Sequence, residues 1–249
     1  MRVILLSGLI LVTGLLILFS PLASAKTVAL WLCDDSGGTL KDSSGNGHDG
    51  TLEGKTSFVE GKYGNALELH GKPDCVKVTG SNDLTGATAM TVEMWLKAKQ
   101  QAPYHIPLSK GLKGPGHWEI YLLAGPGHFS TYIPDLGDFT GSHSVTDDEW
   151  HHCAMIWDGS SIRLFVDGEQ VNDWGGLKGK KIVVDDQDLH IGNEWTNDNW
   201  HTGLLDEIRI SDTALDAKDF GFDKSLAQVA VDKIGKIATS WGNLKNQSK

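Results

Sequence analysis

The sequence predicts an all-β protein built as a sandwich of two antiparallel sheets, and three observations lead to that prediction. Between residues 27 and 215 the chain consists of short apolar runs separated by clusters of Gly, Asn, Asp and Ser, which supply turns. These runs have the length of strands, and none shows the sustained spacing of a helix. Residues 150–168 add a clear hairpin signal. Many short strands with turn signals between them are typical of β-sandwiches.

The first 25 residues are interpreted as an export signal that precedes the fold. Arg2 is followed by an apolar run over residues 3–19, and residues 23–25 read Ala-Ser-Ala, a small-residue cleavage box. We expect cleavage after Ala25 and a secreted or periplasmic protein. The alternative is an uncleaved anchor, because the apolar run approaches the length that spans a membrane. The helix-breaking Ser20-Pro21 pair favours cleavage, and no other segment has the length and apolarity of a span.

Charge limits the classes of partner. The chain has a formal net charge of −10, with 32 acidic and 22 basic residues. This balance argues against nucleic acid and anionic membrane surfaces as partners. It is compatible with neutral glycans and with bound cations.

The hairpin signal is the most informative stretch of the chain. Residues 150–168 read WHHCAMIWDGSSIRLFVDG, with Asp158-Gly159 opening the connection between two apolar runs and Asp167-Gly168 following the second. Asp-Gly supplies the positive φ that tight hairpins need. In the second run Ile162, Leu164 and Val166 alternate with three other residues, which is the period of a strand with one buried face.

The same stretch resembles the signature hairpin of LamG-like jelly-roll domains, in the concanavalin A-like lectin/glucanase superfamily. Four further blocks resemble the family in the expected order: residues 31–50, 61–71, 91–97 and 190–210. The resemblance implies a two-sheet jelly roll over residues 26–219. It carries less information about function, because one fold hosts many functions.

The last residues differ in composition from the strands. Residues 220–249 form a predicted tail that is richer in Ala, Lys and aliphatic residues. Ile234, Ile237, Trp241 and Leu244 have the spacing of one helical face, which predicts a short amphipathic helix at about 233–245. Glycines within that segment weaken it.

Three cysteines leave two interpretations open. Export permits disulfides, and the resemblance places Cys33 and Cys75 in strands that are adjacent in sequence, which would allow them to form a bridge. The alternative is that Cys33, Cys75 and Cys153 are all small buried apolar residues.

A calcium site is the first functional expectation. Residues 42–47 read DSSGNG, which is rich in oxygen ligands, although the strand-like segment before it excludes an EF-hand. In the family that the chain resembles, this loop commonly joins an Asp of the closing strand in one cation site. The resemblance therefore implies a structural Ca²⁺ held by the side chains of Asp42, Asn46 and Asp206 and the carbonyls of His48 and Gly71. The alternative is that the loop is only a turn and that Asp206 is an exposed strand residue.

A glycan-binding surface is the second expectation. The chain has nine tryptophans, and those in strand blocks are expected in the core. Others lie in polar loops beside amides and carboxylates, a combination that suits sugar rings and their hydroxyls. The candidate ligand-binding residues are Trp174, Glu194, Trp195, Asn197, Asp198 and Trp200. The alternative is that these tryptophans fold back over a sheet edge. Trp118 and the loop 100–117 are expected to line the same side.

Catalysis is the least favoured expectation. Glycoside hydrolysis needs a positioned pair of carboxylates, and Glu93 and Glu119 appear as isolated acids on strands. The chain lacks a G-x-S-x-G nucleophile motif and a helical H-x-x-x-H zinc pair. We therefore expect an exported, non-catalytic module that recognises an extracellular glycan.

Two alternatives to that function stay open. The first is an adhesion or scaffold protein that binds a surface protein through an exposed stripe on Ile234, Ile237 and Trp241. The second is a glycoside hydrolase, which would show two facing carboxylates in a groove. Exposed Trp195 and Trp200 would instead favour glycan binding.

Overall fold

The computed structural model of the protein describes residues 26–100, 104–194 and 199–221, and these residues form the predicted all-β structure. In this part of the chain, helical structure is limited to two short 3-10 turns, Asn82–Leu84 and Ala217–Asp219. The strands are β1 (Thr27–Trp31), β2 (Thr39–Leu40), β3 (Gly50–Glu53), β4 (Ser57–Glu60), β5 (Asn65–His70), β6 (Cys75–Val78), β7 (Met90–Lys99), β8 (His105–Lys110), β9 (Trp118–Leu122), β10 (Phe129–Ile133), β11 (Gly137–Phe139), β12 (Asp147–Trp157), β13 (Ile162–Val166), β14 (Glu169–Trp174), β15 (Leu189–Ile191) and β16 (Thr202–Ser211).

The strands are divided between two antiparallel sheets of eight. In the first sheet the order is β14-β13-β12-β7-β16-β5-β4, and β1 also pairs with β16. In the second sheet the order is β11-β10-β9-β8-β15-β6-β3-β2. Strands that are far apart in sequence, such as β7 and β16, are therefore neighbours. This arrangement agrees with the predicted jelly-roll sandwich.

Alternating side chains build the core between the sheets. In β7 of the first sheet, Met90, Val92, Met94 and Leu96 are fully buried in the main apolar cluster. In β9 of the second sheet, the residues that face this cluster are Trp118, Ile120 and Leu122. Alternate residues of these strands face the core, and the intervening residues lie on the outer faces of the sheets, where several are buried as well.

The predicted hairpin is confirmed. β12 pairs with β13 from Cys153–Val166 to Trp157–Ile162, and β13 pairs with β14 across the two-residue turn Asp167-Gly168. Both turn residues have positive φ, 51° and 80°. The two tight connections fix which face of β13 is buried.

The chain that follows β16 covers the outer face of the first sheet. We call residues 212–221 the C-terminal strap. Phe220 packs edge-on against Phe165, with ring centroids 5.2 Å apart. The indole N–H of Trp95 donates to the Gly221 carbonyl over 3.0 Å, and Gly221 N–H donates to Glu93 Oε2 over 2.8 Å. Glu93 also pairs with His152 and Arg209, so this face is held by a buried polar network.

The tryptophans and cysteines are mostly core residues. Trp31, Trp95 and Trp157 are buried, as expected. Trp118 was expected on the ligand-binding side, and that expectation is wrong: it is fully buried and its indole N–H donates to the Leu84 carbonyl. The three cysteines, Cys33, Cys75 and Cys153, are buried and free.

Two other predictions have no structural counterpart here. The export signal at residues 1–25 and the helix at 233–245 both lie outside the described residues. Within the described part of the chain, no helix combines the length and the apolarity needed to cross a bilayer.

Candidate functional site

The predicted calcium loop is stabilised by its own hydrogen bonds. Asp42 Oδ1 accepts the backbone N–H groups of Leu30 and Ser44, at 3.1 and 2.8 Å. Its Oδ2 accepts the His48 N–H and the Ser44 hydroxyl, at 3.0 and 2.8 Å. These bonds lower the pKa of Asp42, although burial acts in the opposite direction. The carboxylate therefore fastens the loop to β1.

The other predicted ligands of this loop are also engaged. Asn46 Nδ2 donates to the Val28 carbonyl over 2.8 Å, on the edge of β1. The His48 carbonyl accepts the indole N–H of Trp31 over 2.8 Å. Gly71 belongs to a different turn, where its carbonyl accepts the Asp74 N–H over 2.7 Å.

Asp206 differs from these residues because it has an unsatisfied oxygen. Its side chain is fully buried on β16, which rules out the exposed strand residue of the alternative interpretation. Oδ2 accepts the Tyr63 N–H over 2.9 Å, whereas Oδ1 has no hydrogen-bond partner. Burial raises the pKa of Asp206 to about 7, and the charge of Glu207 acts in the same direction.

Among the five residues, Asp206 is the one with a buried side-chain oxygen that lacks a partner, and a cation would satisfy that oxygen. Among the described residues, no group of three or more His, Cys, Asp or Glu side chains is arranged to hold a metal ion. A calcium ion held by all five residues finds little support in these contacts, and calcium binding stays a prediction.

The predicted ligand-binding loop is only partly described, because Trp195, Asn197 and Asp198 lie outside the described residues. Asn193 and Trp200 form an isolated antiparallel bridge that closes this loop. Trp200 is half-buried. Trp174 is also half-buried, and it packs on Phe139 with ring centroids 5.6 Å apart. Trp174 therefore packs against the second sheet at the edge of the sandwich, and its role in ligand binding stays a prediction.

Glu194 is buried and organises two neighbouring donors. It is only 2% exposed. Its Oε2 lies 2.7 Å from Lys113 Nζ, and its Oε1 accepts a hydrogen bond from Asn199 Nδ2 over 2.8 Å. The pairing raises the pKa of Lys113 against the effect of burial. Glu194 therefore positions Lys113 and Asn199, and these two residues line a cavity.

That cavity lies on the outer face of the second sheet and has a volume of about 330 Å³. We call it the second-sheet groove. It is open to solvent and crosses the strands from β8 to β11. Its lining includes three tyrosines and several polar groups: Tyr104, Lys113, Glu119, Tyr121, Tyr132, Asp138 and Asn199.

Strand register aligns three of these residues in one row. Tyr132 of β10 pairs with Glu119 of β9 on one side and with Asp138 of β11 on the other. Because neighbouring strands lie about 4.8 Å apart, the Cα atoms of the two acids are separated by about 10 Å. One aromatic ring is therefore flanked by two carboxylates, of which Asp138 is exposed and Glu119 is buried.

Each carboxylate of the row has a hydrogen-bond partner. Glu119 Oε2 lies 3.0 Å from His117 Nε2. Asp138 Oδ1 accepts the Tyr121 hydroxyl over 2.7 Å, and the same hydroxyl lies 2.9 Å from Thr140 Oγ1. Burial raises the pKa of Tyr121 to about 12. The groove thus offers ordered phenol, carboxylate, ammonium and amide groups.

Sequence reasoning missed most of this site. The run WEIYL contains the signal, because the apolar residues at 118, 120 and 122 alternate with Glu119 and Tyr121. That alternation predicts an outward-facing pair. Nothing in the sequence indicated that Asp138 lies in the same row.

Comparisons with known proteins agree with the fold. The family model described as concanavalin A-like lectin/glucanases superfamily matches residues 70–219, more than half of the chain. Among curated proteins, the sushi, von Willebrand factor type A, EGF and pentraxin domain-containing protein 1 of Rattus norvegicus is 30% identical over 108 residues. The Mus musculus protein of the same name is 29% identical over 108 residues. The match covers 43% of this chain and only 3% of either relative.

Solved structures with a similar fold include domains of larger proteins. Domain 4 of AbnA, a GH43 extracellular arabinanase from Geobacillus stearothermophilus solved in complex with arabinotriose, aligns with a TM-score of 0.62 at 21% identity, over 78% of this chain and 96% of that domain. The binding domain of Paraclostridial Mosquitocidal Protein 1 aligns with a TM-score of 0.62 at 15% identity, over 78% of this chain and 50% of its own. At these identities the likeness concerns the fold alone.

Proposed function

The chain belongs to the concanavalin A-like lectin/glucanase superfamily, and on that premise we propose that it is an exported, non-catalytic module that binds carbohydrate. The binding site in this proposal is the second-sheet groove. The ligand in this proposal is an extracellular glycan. The proposal also includes a structural Ca²⁺ bound at Asp206.

The observation that carries the proposal is the row of Glu119, Tyr132 and Asp138 in an open groove. A sugar ring can place its C–H groups on an aromatic face while its hydroxyls bond to polar groups at the ring edge. A volume of about 330 Å³ falls within the range of small-ligand sites. The arabinotriose complex of the similar AbnA domain supports the same ligand class.

A glycan array followed by calorimetry tests this function. We expect at least one oligosaccharide to bind, and we expect Tyr132→Ala to weaken that binding about tenfold or more, because the ring is the stacking surface. Tyr63→Ala is the matched control, since Tyr63 contacts Trp95 of the first sheet. A folded protein that binds no glycan, or equal affinities for Tyr132→Ala and the native protein, would refute the proposal.

Glycoside hydrolysis is the second candidate, and a specific observation favours it. Two acids, Glu119 and Asp138, line one groove, and glycoside hydrolysis needs a positioned pair of carboxylates. Their Cα separation of about 10 Å allows the carboxyl groups to approach the roughly 6.5–9.5 Å spacing of inverting enzymes. Incubation of a bound oligosaccharide with the protein decides the matter: new reducing ends that disappear in Glu119→Gln would establish hydrolysis, and an intact ligand would exclude it.

The protein-scaffold alternative rests on a different part of the chain. Its predicted contact stripe, Ile234, Ile237 and Trp241, lies outside the described residues. The groove gives no specific support to that alternative.

A further inference from the structure

The charges of the second-sheet groove are not all balanced within the protein. Lys113 is the cation of the groove lining, and its ammonium group is paired with the buried carboxylate of Glu194 at 2.7 Å. This pair contributes no net charge to the groove. Lys113 is therefore already engaged, and an anionic ligand would have to compete with Glu194 for it.

Glu119 is paired with a buried histidine. His117 is fully buried, with Nδ1 3.1 Å from the Gly111 carbonyl and Nε2 3.0 Å from Glu119 Oε2. A carbonyl and a carboxylate oxygen can only accept hydrogen bonds. Glu119 Oε2 is therefore engaged by an imidazole ring that the Gly111 carbonyl also holds in place.

Asp138 is the exception. Its side chain is exposed, and its hydrogen bond comes from the Tyr121 hydroxyl. Because the pKa of Tyr121 is raised to about 12, that hydroxyl keeps its proton and stays neutral. Within the described part of the chain, no Lys, Arg or His forms an ion pair with Asp138. One negative charge of the groove is therefore uncompensated.

Aromatic rings surround this charge. Tyr132 is the cross-strand partner of Asp138, and Tyr121 is hydrogen-bonded to it. Tyr104 packs edge-on against Tyr121, with ring centroids 5.8 Å apart. Aromatic faces attract ammonium groups, and a carboxylate adds a charge-assisted hydrogen bond.

We propose that the groove selects glycans that carry protonated amino groups and that Asp138 is the residue that binds the amine. This inference rests on the proposed carbohydrate-binding function and specifies its ligand class. Sulfated and uronic glycans are disfavoured by the same charge, and the net charge of −10 acts in the same direction.

Two oligosaccharides of equal length test the selectivity. One is a fully deacetylated glucosamine oligomer, and the other is its N-acetylated counterpart, which has no basic amine. Calorimetry at a mildly acidic pH, where the free amines are protonated, should give about tenfold tighter binding of the glucosamine oligomer. The preference should shrink at high salt, since the attraction is electrostatic. Equal affinities, or tighter binding of the N-acetylated oligomer, would overturn the inference.

Asp138→Asn tests the assigned residue. The change keeps the shape and the acceptor for the Tyr121 hydroxyl but removes the charge. We expect about a tenfold loss for the glucosamine oligomer and little change for the N-acetylated one. Asp173→Asn is the matched control, because Asp173 is an exposed acid on β14 of the first sheet. A preference for the amine that survives in Asp138→Asn would rule out this residue.

The two proposals fail in different ways. If N-acetylated or neutral oligomers bind, and Tyr132→Ala abolishes that binding, the groove binds carbohydrate even when no amine preference exists. If no glycan binds under any condition, the proposed function fails and the amine selectivity fails with it.

Discussion

Asp206 and Asp138 are both carboxylates, yet their surroundings give them different properties. Asp138 is exposed to solvent, so a ligand can reach its carboxylate. Asp206 is fully buried and has one oxygen without a partner, so its charged form is disfavoured. Asp138 is therefore suited to bind a ligand. Asp206 instead makes the stability of the fold depend on pH.

The raised pKa of Asp206 determines in which direction the stability of the fold changes with pH. The folded protein keeps the proton up to a pH of about 7, whereas the unfolded chain releases it near 3.8. The folded state therefore binds more protons in this window, and its stability should fall as pH rises from about 4 to 7. The shift corresponds to about 4 kcal/mol at most.

Urea unfolding of the native protein and Asp206→Asn across that pH range measures this contribution. We expect the difference between the two free energies of unfolding to change with pH, because only the native side chain titrates. His105 and His201, whose pKa values are lowered by burial, titrate equally in both proteins. A constant difference would show that Asp206 does not titrate in this window.

Calcium should act through the same oxygen. Above pH 7 the deprotonated Asp206 is the form that a cation binds. If calcium binds there, the melting temperature should be about 5 °C or more higher in calcium, at one hundred times its Kd, than in chelator. The effect should disappear in Asp206→Asn. Equal melting temperatures of the native protein in calcium and chelator would exclude the site.

At the scale of secondary-structure elements, turns fix the geometry of the strands that they connect. Asp158 accepts the N–H groups of Ser160 and Ser161, at 2.9 and 2.8 Å, and their hydroxyls as well. Gly159 beside it has a φ of 86°. Together these residues close the connection between β12 and β13. The turn thus sets the register of the hairpin.

Asp158→Ala should lower the free energy of unfolding by about 1–3 kcal/mol, because it removes several hydrogen bonds and leaves turn donors without partners. Chemical denaturation checks the value. Asp173→Ala is the matched control, and we expect it to change stability by less than about 0.5 kcal/mol, as exposed substitutions usually do. Equal effects of the two variants would contradict the role given to the turn.

The same elements show how far sequence reasoning reaches. Local patterns predicted the hairpin correctly, because its turn residues and its alternation lie within 19 consecutive positions. The groove depends on register between β9, β10 and β11, which places Asp138 beside Tyr132. The position of Trp118, by contrast, was within reach of local patterns, because the alternation in WEIYL puts it on the same buried face as Ile120 and Leu122.

At the scale of the whole molecule, the two sheets share one core. A single apolar cluster includes residues from both, such as Met94 and Leu96 of the first sheet and Trp118 and Ile120 of the second. Neither sheet can bury its apolar face without the other. The sandwich should therefore unfold as one unit.

Coincident transitions would confirm this cooperativity. Tryptophan fluorescence reports mainly on buried rings, and far-ultraviolet circular dichroism reports on the strands. We expect both signals to give one midpoint and one slope in urea. Separate midpoints would show that the two sheets unfold independently.

The C-terminal strap also determines how the molecule can be presented on a surface. Gly221 is bound to Trp95 and Glu93 on the outer face of the first sheet, and Lys26 N–H donates to Asp212 at the start of the strap. Both ends of the described sandwich are therefore on the first sheet, whereas the groove opens on the second. A bead or sensor chip attached at Lys26 or Gly221 would therefore lie beside the first sheet and leave the groove facing the solution.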